Sequence, residues 1–230
     1  MPLNIAVIAS GDGSNFQAIV EKARAGLLDA VVRVVICNRP GAGVIARAKA
    51  LGIPCALLDH EDKSRFSDRS GFDRAMVDAI RQHGADWVAL AGYMRVLAPE
   101  FLDAFPGRVL NIHPALLPSF PGPRGCADAL AYGVKIVGTT VHFVEEKIDS
   151  GPVIIQAAIP VSAGDTLSSI TQRIHELEHR IYPQALQWIA TGRLTRMGGN
   201  NRIITIRPDA SIRKREEPCC LISPPLEEGF

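Results

Sequence analysis

The 230-residue sequence predicts an α/β fold: an open, mostly parallel, Rossmann-like sheet with helices on both faces, becoming mixed toward the C-terminal part. Two observations predict this class. Short apolar runs alternate with segments of helical periodicity over about residues 1–110, which is typical of a parallel sheet covered on both faces. Two long β-branched runs then follow each other without a helix-length segment between them, which predicts antiparallel pairing near the end of the sheet.

The first half begins with a strand, a glycine loop and a helix. Residues 4–9 are apolar and end in the loop 10–15, after which apolar residues recur at helical spacing from Phe16 onward. The same order then repeats along the chain. The other elements predicted here are strands at 31–37, 55–58, 87–90 and 108–110, and helices at 44–51 and 69–83.

The second half predicts strands at 136–144 and 153–161 and a long helix at 165–190. Pro183 is expected to kink or divide that helix, because proline lacks the N–H that an interior turn requires. Residues 202–206 could add an edge strand. We expect one domain over 1–207, with halves at about 1–110 and 111–207, followed by a flexible extension at 208–230.

Composition excludes several classes of protein. The chain is 47% hydrophobic and 21% charged, as in soluble globular proteins, and its net charge of +1 gives no sign of a nucleic-acid partner. The basic cluster 213–215 is offset at once by Glu216 and Glu217 and is expected to be a solvated tail. The five cysteines lack the paired spacing of a zinc site or a disulfide framework, which favours a reducing cytoplasm. No apolar run approaches the roughly 20 residues of a membrane span.

An amide, an imidazole and a carboxylate indicate transfer chemistry at a carbonyl. Asn111 and His113 end a predicted strand, and the period of two places both side chains on one side of it. Asp149 lies in a turn with glycine and proline. Together they provide a donor for a developing oxyanion and an oriented imidazole. Considered alone, His113 could also be a structural histidine, and Asp149 could also be a cap of its own turn.

The loop with Gly11, Gly13, Ser14 and Asn15 follows a strand and precedes a helix, so its backbone N–H groups could hold a phosphate. A structural turn without a ligand explains the same glycines about as well. A dinucleotide site is disfavoured, because Phe16 stands where a third glycine is needed, and no acidic residue follows the second strand.

Four further residues were weighed as candidates for chemistry. Cys126 lacks an identifiable activating base, and a buried small residue explains it better than a nucleophile does. His142 lies in the middle of a strand and is expected to be packed or hydrogen-bonded. His175 and His179 share a helical face, but no second pair of metal ligands accompanies them, so we expect no metal.

Four motifs in register extend this interpretation. They occupy residues 10–15, 90–97, 111–118 and 141–152. In this order and spacing the chain resembles the phosphoribosylglycinamide formyltransferases of purine synthesis, over about residues 4–194, and this resemblance implies the formyltransferase fold. It also implies transfer of a formyl group from 10-formyltetrahydrofolate to the amine of glycinamide ribonucleotide (GAR), in the cytoplasm and without a metal.

The resemblance also implies which residues act. Asn111, His113 and Asp149 would be the catalytic trio. The GAR phosphate would be held by the backbone of Gly13, Ser14 and Asn15, and its ribose hydroxyls by Glu178. The resemblance further implies a set of residues that line the folate-binding site. They are Arg69, Met94, Arg95, Val96, Leu97, Asn111, Glu145 and Asp149.

The chain departs from the family's pattern in two places. Many relatives carry one or two histidines about where Arg124 and Cys126 stand, so Arg124 is expected to supply a charge to the substrate phosphate instead. His175 replaces a glutamine expected near the ribose. Both differences concern binding of the ribonucleotide rather than the trio.

Other functions with the same trio were considered. A formyltetrahydrofolate hydrolase is the main alternative and would normally carry an additional N-terminal sensing domain. A methionyl-tRNA formyltransferase would need an RNA-binding C-terminal domain, for which the residues after Gly192 are too few. A catalytically inactive binding protein is disfavoured by the presence of all three polar residues. The sequence does not choose between a monomer and a homodimer.

Overall fold

The computed structural model, which describes residues 1–66, 68–198, 202–211, 213 and 220–230, shows one large and one small sheet flanked by helices. The strands of the large sheet are β1 (Leu3–Ala9), β2 (Ala30–Cys37), β3 (Cys55–Leu57), β4 (Trp87–Leu90), β5 (Val109–His113), β6 (Ile136–Phe143), β7 (Val153–Pro160) and β10 (Leu221–Ser223). The small sheet pairs β8 (Leu194–Met197) with β9 (Ile203–Ile206). The helices are α1 (Ser14–Arg24), α2 (Gly43–Ala50), α3 (Arg69–Gln82), α4 (Pro99–Ala104), α5 (Gly125–Tyr132) and α6 (Leu167–Ala190).

The strand order of the large sheet is β10-β7-β6-β5-β4-β1-β2-β3. The five strands from β1 to β5 are mutually parallel, and β6, β7 and β10 join antiparallel. The predicted sheet, parallel at first and mixed near the end, is therefore confirmed. The order reverses between β1 and β4, and the loops after these two strands leave a crevice at the carboxyl edge, where open α/β sheets bind ligands.

Helices cover both faces of this sheet, as the sequence predicts. Along β1, the side chains of Ile5 and Val7 pack on one face, with residues of α1 and α6. Ile8 packs on the opposite face, with residues of α3 and α4. Side chains of a strand alternate between the two faces, so a continuous apolar run is what a strand buried on both sides requires.

Helix α6 continues through Pro183, so of the two predicted effects division is wrong, and a kink at Pro183 stays a prediction. The helix begins with a capping box in which Thr166 and Ser169 exchange side-chain and backbone hydrogen bonds. Its apolar face buries residues on both sides of the proline, including Ile174 and Ile181. Burial over six turns offsets the loss of the one hydrogen bond that Pro183 cannot donate.

Several short elements differ from the prediction. Helices α4 and α5 were not predicted, since segments of six and eight residues give too little periodicity to recognise. The strand expected at 202–206 forms β9, which pairs with β8 rather than with an edge of the large sheet. No helix in the described ranges is long and apolar enough to cross a membrane.

Residues 220–230 pack against the rest of the protein, so the prediction of a flexible extension is wrong for this part of the chain. There β10 pairs antiparallel with β7, and the side chains of Leu226 and Phe230 are buried. Glu227 is 6% exposed and forms an ion pair of 2.7 Å with Arg193. The charge-rich residues 214–217 lie outside the described residues, as do 212, 218 and 219.

Candidate active site

A cavity of about 300 Å³ opens at the carboxyl edge of the sheet, beside the reversal point between β1 and β4. Its walls come from the segment after β4, the end of β5, and the loop between β6 and β7. Residues that line it include Met94, Arg95, Val96, Leu97, Asn111, His113, His142, Glu145, Ile148 and Asp149. Most of the residues implied for the trio and the folate therefore lie around one cavity.

Strand β5 supplies the amide and the imidazole. It lies between β4 and β6, and its last residues reach the rim of the cavity. Asn111 and His113 are two positions apart, so they project from the same side of the strand. His113 is 4% exposed, whereas Asn111 is half-buried. A polar side chain buried in this position needs defined partners.

Asp149 approaches the imidazole from the loop between β6 and β7. Its backbone is in the left-handed region, at φ 49°, which is uncommon for a residue other than glycine. The carboxylate Oδ2 accepts a hydrogen bond of 2.7 Å from the backbone N–H of Gly122 and lies 3.5 Å from Nδ1 of His113. Both of these partners lie outside the turn of Asp149, so the geometry disfavours the local-cap interpretation.

Both ring nitrogens of His113 face oxygen atoms. Nε2 lies 2.9 Å from the carbonyl oxygen of Phe120, and a carbonyl only accepts, so Nε2 carries a proton. Nδ1 lies 3.5 Å from the carboxylate Oδ2 of Asp149. Space around the ring is tight, since a Cβ added at Gly125 would lie 2.8 Å from Nε2.

His142 has a more specific position than the sequence suggests. Its Nδ1 lies 2.8 Å from the carbonyl oxygen of Phe143 and must donate to it. Burial lowers the pKa of His142, which favours the neutral ring and leaves Nε2 as an acceptor. That Nε2 lies 3.2 Å from the amide nitrogen of Asn111 and 3.8 Å from Oδ1 of Asp149. The ring thus orients the amide of Asn111.

The glycine loop lies at the other side of the reversal point. Gly13 has φ 84°, and a Cβ there would lie 2.6 Å from the Val44 side chain, so both the backbone angle and the space require glycine. Helix α1 begins at Ser14 without a side-chain cap, which leaves N–H groups of its first turn for an anion. The amide of Asn15 donates to the buried carboxylate of Glu178 at 2.7 Å.

Glu178 is held from two sides. It is 4% exposed, and Thr139 donates to its second oxygen at 3.2 Å. Burial raises the pKa of Glu178, and the hydrogen bond from Asn15 is the largest influence in the opposite direction. The carboxylate therefore joins the start of α1 to the middle of α6, at the position implied for ribose hydroxyls.

Comparison with known proteins assigns this arrangement to a family. A family model described as formyl transferase matches residues 3–186. The chain belongs to this formyl transferase family. It is 43% identical over 197 residues to the phosphoribosylglycinamide formyltransferase of Bacillus subtilis strain 168, which covers 86% of this chain and 96% of the relative. The enzyme of that name from Escherichia coli K12 is 43% identical over 192 residues, covering 84% of this chain and 89% of the relative.

Solved structures of formyl transferases agree with this assignment. Glycinamide ribonucleotide transformylase 1 from Symbiobacterium toebii superposes with a TM-score of 0.85 at 43% identity, covering 90% of this chain and 95% of that one. A formyltetrahydrofolate deformylase from Pseudomonas syringae has a TM-score of 0.81 at 24% identity, covering 90% of this chain and 67% of that one. The second likeness is one of fold alone.

The segment implied to line the folate site of this formyl transferase exposes apolar side chains into the cavity. Met94 is 57% exposed and Val96 is also exposed, whereas Leu97 is buried. The guanidinium of Arg95 lies 5.2 Å from the centroid of the Phe72 ring. Arg69, at the first position of α3, is exposed and is not among the residues that line the cavity.

Arg124 and Cys126, at the start of α5, have different environments. Arg124 has a largely exposed side chain, and its guanidinium pairs with Asp128 at 3.1 Å. Its predicted contact with phosphate stays a prediction. Cys126 is buried beside Thr171, and burial raises the pKa of the thiol, which disfavours the thiolate. The interpretation of Cys126 as a packed residue fits this environment.

The histidines on α6 form a contact between two rings. The rings of His175 and His179 stack with centroids 6.4 Å apart. Within the described ranges, no three histidine, cysteine or acidic residues come together as a metal site. His175 is exposed and lies three residues before Glu178 on α6, and it favours the charged form of Glu178 electrostatically.

Proposed function

We propose that this chain is a phosphoribosylglycinamide formyltransferase that transfers the formyl group of 10-formyltetrahydrofolate to the amine of GAR. One observation carries the proposal. Asn111, His113 and Asp149 line one cavity, and the carboxylate of Asp149 lies 3.5 Å from the imidazole of His113. A formyl donor bound in this cavity and an amine acceptor bound beside the glycine loop would meet at the trio. The names of the closely similar relatives support the same assignment.

The ribonucleotide fits the glycine-loop side. The N-terminus of α1 offers backbone N–H groups and the positive end of the helix dipole to a phosphate. Glu178 can accept hydrogen bonds from ribose hydroxyls after exchanging the contact with Asn15 or Thr139. In this proposal the glycinamide amine is directed toward β5, the strand that carries Asn111 and His113.

The folate fits the cavity. A flat, partly apolar ring system matches walls made by Met94, Val96 and Ile148, which are exposed large apolar residues. Arg95 and Arg69 would meet the anionic end of the folate near the rim. Glu145 and the turn up to Asp149 would complete the opposite wall.

The proposed reaction is a direct transfer. The GAR amine attacks the formyl carbon, a C–N bond forms, and negative charge develops on the formyl oxygen. The amide N–H of Asn111 and the imidazolium of His113 stabilise this charge, each by on the order of 10²–10³ in rate. The bond from carbon to N10 of the folate then breaks, and the proton lost by the amine ends on that nitrogen.

Asp149 serves the imidazolium and the proton transfer. Its carboxylate lies 3.5 Å from Nδ1 of His113 and would stabilise positive charge on the ring during the transfer. The Nε2 proton, directed at the Phe120 carbonyl in this structure, is shared with the formyl oxygen during transfer. No covalent intermediate with the enzyme is needed.

We further propose a cytoplasmic enzyme that acts as a monomer or homodimer. The cysteines Cys37, Cys55 and Cys126 are free thiols, which fits a reducing compartment. The second candidate function, formyltetrahydrofolate hydrolysis, is favoured only by the likeness of fold to the deformylase. It would use the same trio to direct water to the formyl carbon.

Initial rates distinguish these functions. Purified protein is mixed with 10-formyltetrahydrofolate, and deformylation is followed by absorbance with and without GAR. The proposal predicts turnover that depends on GAR and saturates with both substrates. Equal turnover without GAR would favour the hydrolase. The variants His113→Ala and Asp149→Asn should each lower the GAR-dependent rate by at least about 10² while remaining folded.

A further inference from the structure

The segment of residues 94–97, which lines the cavity, is held at both ends by side chains from other elements. At its start, the backbone N–H of Met94 donates to Oγ of Ser10 at 3.2 Å. At its end, the backbone N–H of Ala98 donates to Oδ2 of Asp73 at 2.6 Å. Between these contacts the segment has no regular secondary structure. Its shape therefore depends on the two side chains.

Asp73 is an unusual residue to find on this face of α3. It is 2% exposed and lies among the buried side chains of Phe72, Met76 and Val77. Placing a carboxylate there is costly, and burial raises the pKa of Asp73. A well-packed apolar side chain would avoid this penalty. The role of this carboxylate is therefore inferred from the groups around it.

The groups around Asp73 all belong to the part of the protein that is proposed to bind the folate. Besides the N–H of Ala98, the charges of Arg69 and Arg95 favour the ionised form of Asp73. Arg69 lies four residues earlier on α3, which places it one turn away on the same face. Arg95 lies over the ring of Phe72, the neighbour of Asp73. One buried carboxylate therefore holds the backbone at the end of the cavity wall, with Arg69 one helical turn away and Arg95 over the neighbouring Phe72 ring.

We propose that Asp73 is a positioning residue for the folate: it holds residues 94–97 and the guanidinium of Arg95 in the arrangement that receives the ring system and the anionic tail. Asp73 does not line the cavity and touches no substrate. The inference rests on the proposed function and assigns Arg69 a place in the same network, although Arg69 does not line the cavity either.

The test compares Asp73→Asn with Asp78→Asn in the full-length chain. Asp78 is on the same helix and is exposed, so its substitution makes the same chemical change away from the cavity. We expect Asp73→Asn to raise KM for 10-formyltetrahydrofolate, and Kd for tetrahydrofolate measured by calorimetry, by about tenfold, as expected for loss of one charge-assisted hydrogen bond. KM for GAR and kcat should stay within about twofold of wild type.

The possible failures are distinguishable. Absence of GAR-dependent turnover in the wild type would contradict the proposed function itself. If the wild type is active but Asp73→Asn matches Asp78→Asn in folate KM and Kd, or if KM for GAR rises equally, the positioning role is wrong. If Asp73→Asn does not fold, the smaller Asp73→Ser is assayed in the same way. Failure of both variants to fold would assign Asp73 to folding stability and would also overturn the inference.

Discussion

The amide nitrogen of Asn111 lies 3.2 Å from Nε2 of His142, directly across the antiparallel pair formed by β5 and β6. Nδ1 of His142 is committed to the Phe143 carbonyl, so Nε2 is available to accept from Asn111. This contact fixes which end of the amide faces His142. It leaves the second N–H of Asn111 to the formyl oxygen.

Replacing His142 should therefore slow the chemical step. We expect His142→Leu to lower kcat by about ten- to a hundredfold, less than loss of an oxyanion donor itself, because Asn111 remains but is no longer oriented. KM for the folate should change by less than about twofold. Steady-state kinetics with both substrates measures the two parameters separately.

A conservative variant provides the control for this prediction. His142→Gln keeps a carbonyl acceptor near Asn111 and should recover part of the lost kcat. The change His83→Gln, at the half-buried C-cap of α3 and outside the residues that line the cavity, should leave kcat unchanged. An equal loss of kcat in His142→Leu and His142→Gln would contradict the orienting role.

Glu178 should make the stability of the protein depend on pH. Burial raises the pKa of this carboxyl in the folded state above its ordinary value of 4.5. The unfolded chain then releases the proton at lower pH than the folded chain does, so ionisation favours unfolding. The contribution of Glu178 to the free energy of unfolding consequently falls as pH rises above about 4.5, by at most about 1.4 kcal/mol per pH unit.

The variant Glu178→Gln removes this dependence. Its free energy of unfolding relative to wild type should increase as pH rises from 4.5, measured by urea denaturation at a series of pH values. Glu176→Gln, an exposed neighbour on α6, serves as the control and should give a curve parallel to wild type. A parallel curve for Glu178→Gln as well would show that the pKa of Glu178 is not raised.

Gly13 is required both by its backbone angle and by the close approach of α2. Gly13→Ala should lose about 1–2 kcal/mol from the left-handed backbone and about 1–3 kcal/mol more from contact with Val44. Gly41 also has a positive φ, 77°, but nothing lies within 4 Å of an added Cβ. Gly41→Ala should therefore lose only the about 1–2 kcal/mol that comes from the left-handed backbone. Equal unfolding free energies for the two variants would refute the role of the contact with Val44.

The end of the chain should contribute to stability through Glu227. Its carboxylate pairs with Arg193 at 2.7 Å and accepts from the indole N–H of Trp188 at 3.0 Å, in a buried position. Glu227→Ala leaves the charge of Arg193 without this partner and should cost about 3 kcal/mol in urea denaturation. The exposed neighbour Glu228 gives the control, since Glu228→Ala should change stability by less than about 0.5 kcal/mol. A similar small change in Glu227→Ala would mean that the end of the chain is dispensable.

The parts of the fold predicted well are those with strong local periodicity. The apolar run of β1 and the alternation of strands with α1 and α3 carry their signals within a few residues. Asn111 and His113 were found because a two-residue period placed them on one side of a strand end. Helix α4, by contrast, spans only six residues, and its periodicity is too short to recognise.

Other features depend on contacts between distant residues. The role of His142 follows from the register that sets it opposite Asn111, which the sequence of β6 does not encode locally. Asp73 and Glu227 resemble ordinary surface acids in sequence, and only the packing of α3 and of β10 against its neighbours buries them. The continuity of α6 through Pro183 also depends on such contacts, because burial of the helix offsets the hydrogen bond that the proline cannot donate.

The central claim, that the trio moves a formyl group between two bound substrates, is tested most directly by following the carbon itself. Protein is supplied with 10-formyltetrahydrofolate labelled with ¹³C in the formyl group, together with GAR, and the products are observed by ¹³C NMR. The account predicts that the label appears in the formamide of formyl-GAR, with little formate. Label released as formate at the same rate with and without GAR would contradict it.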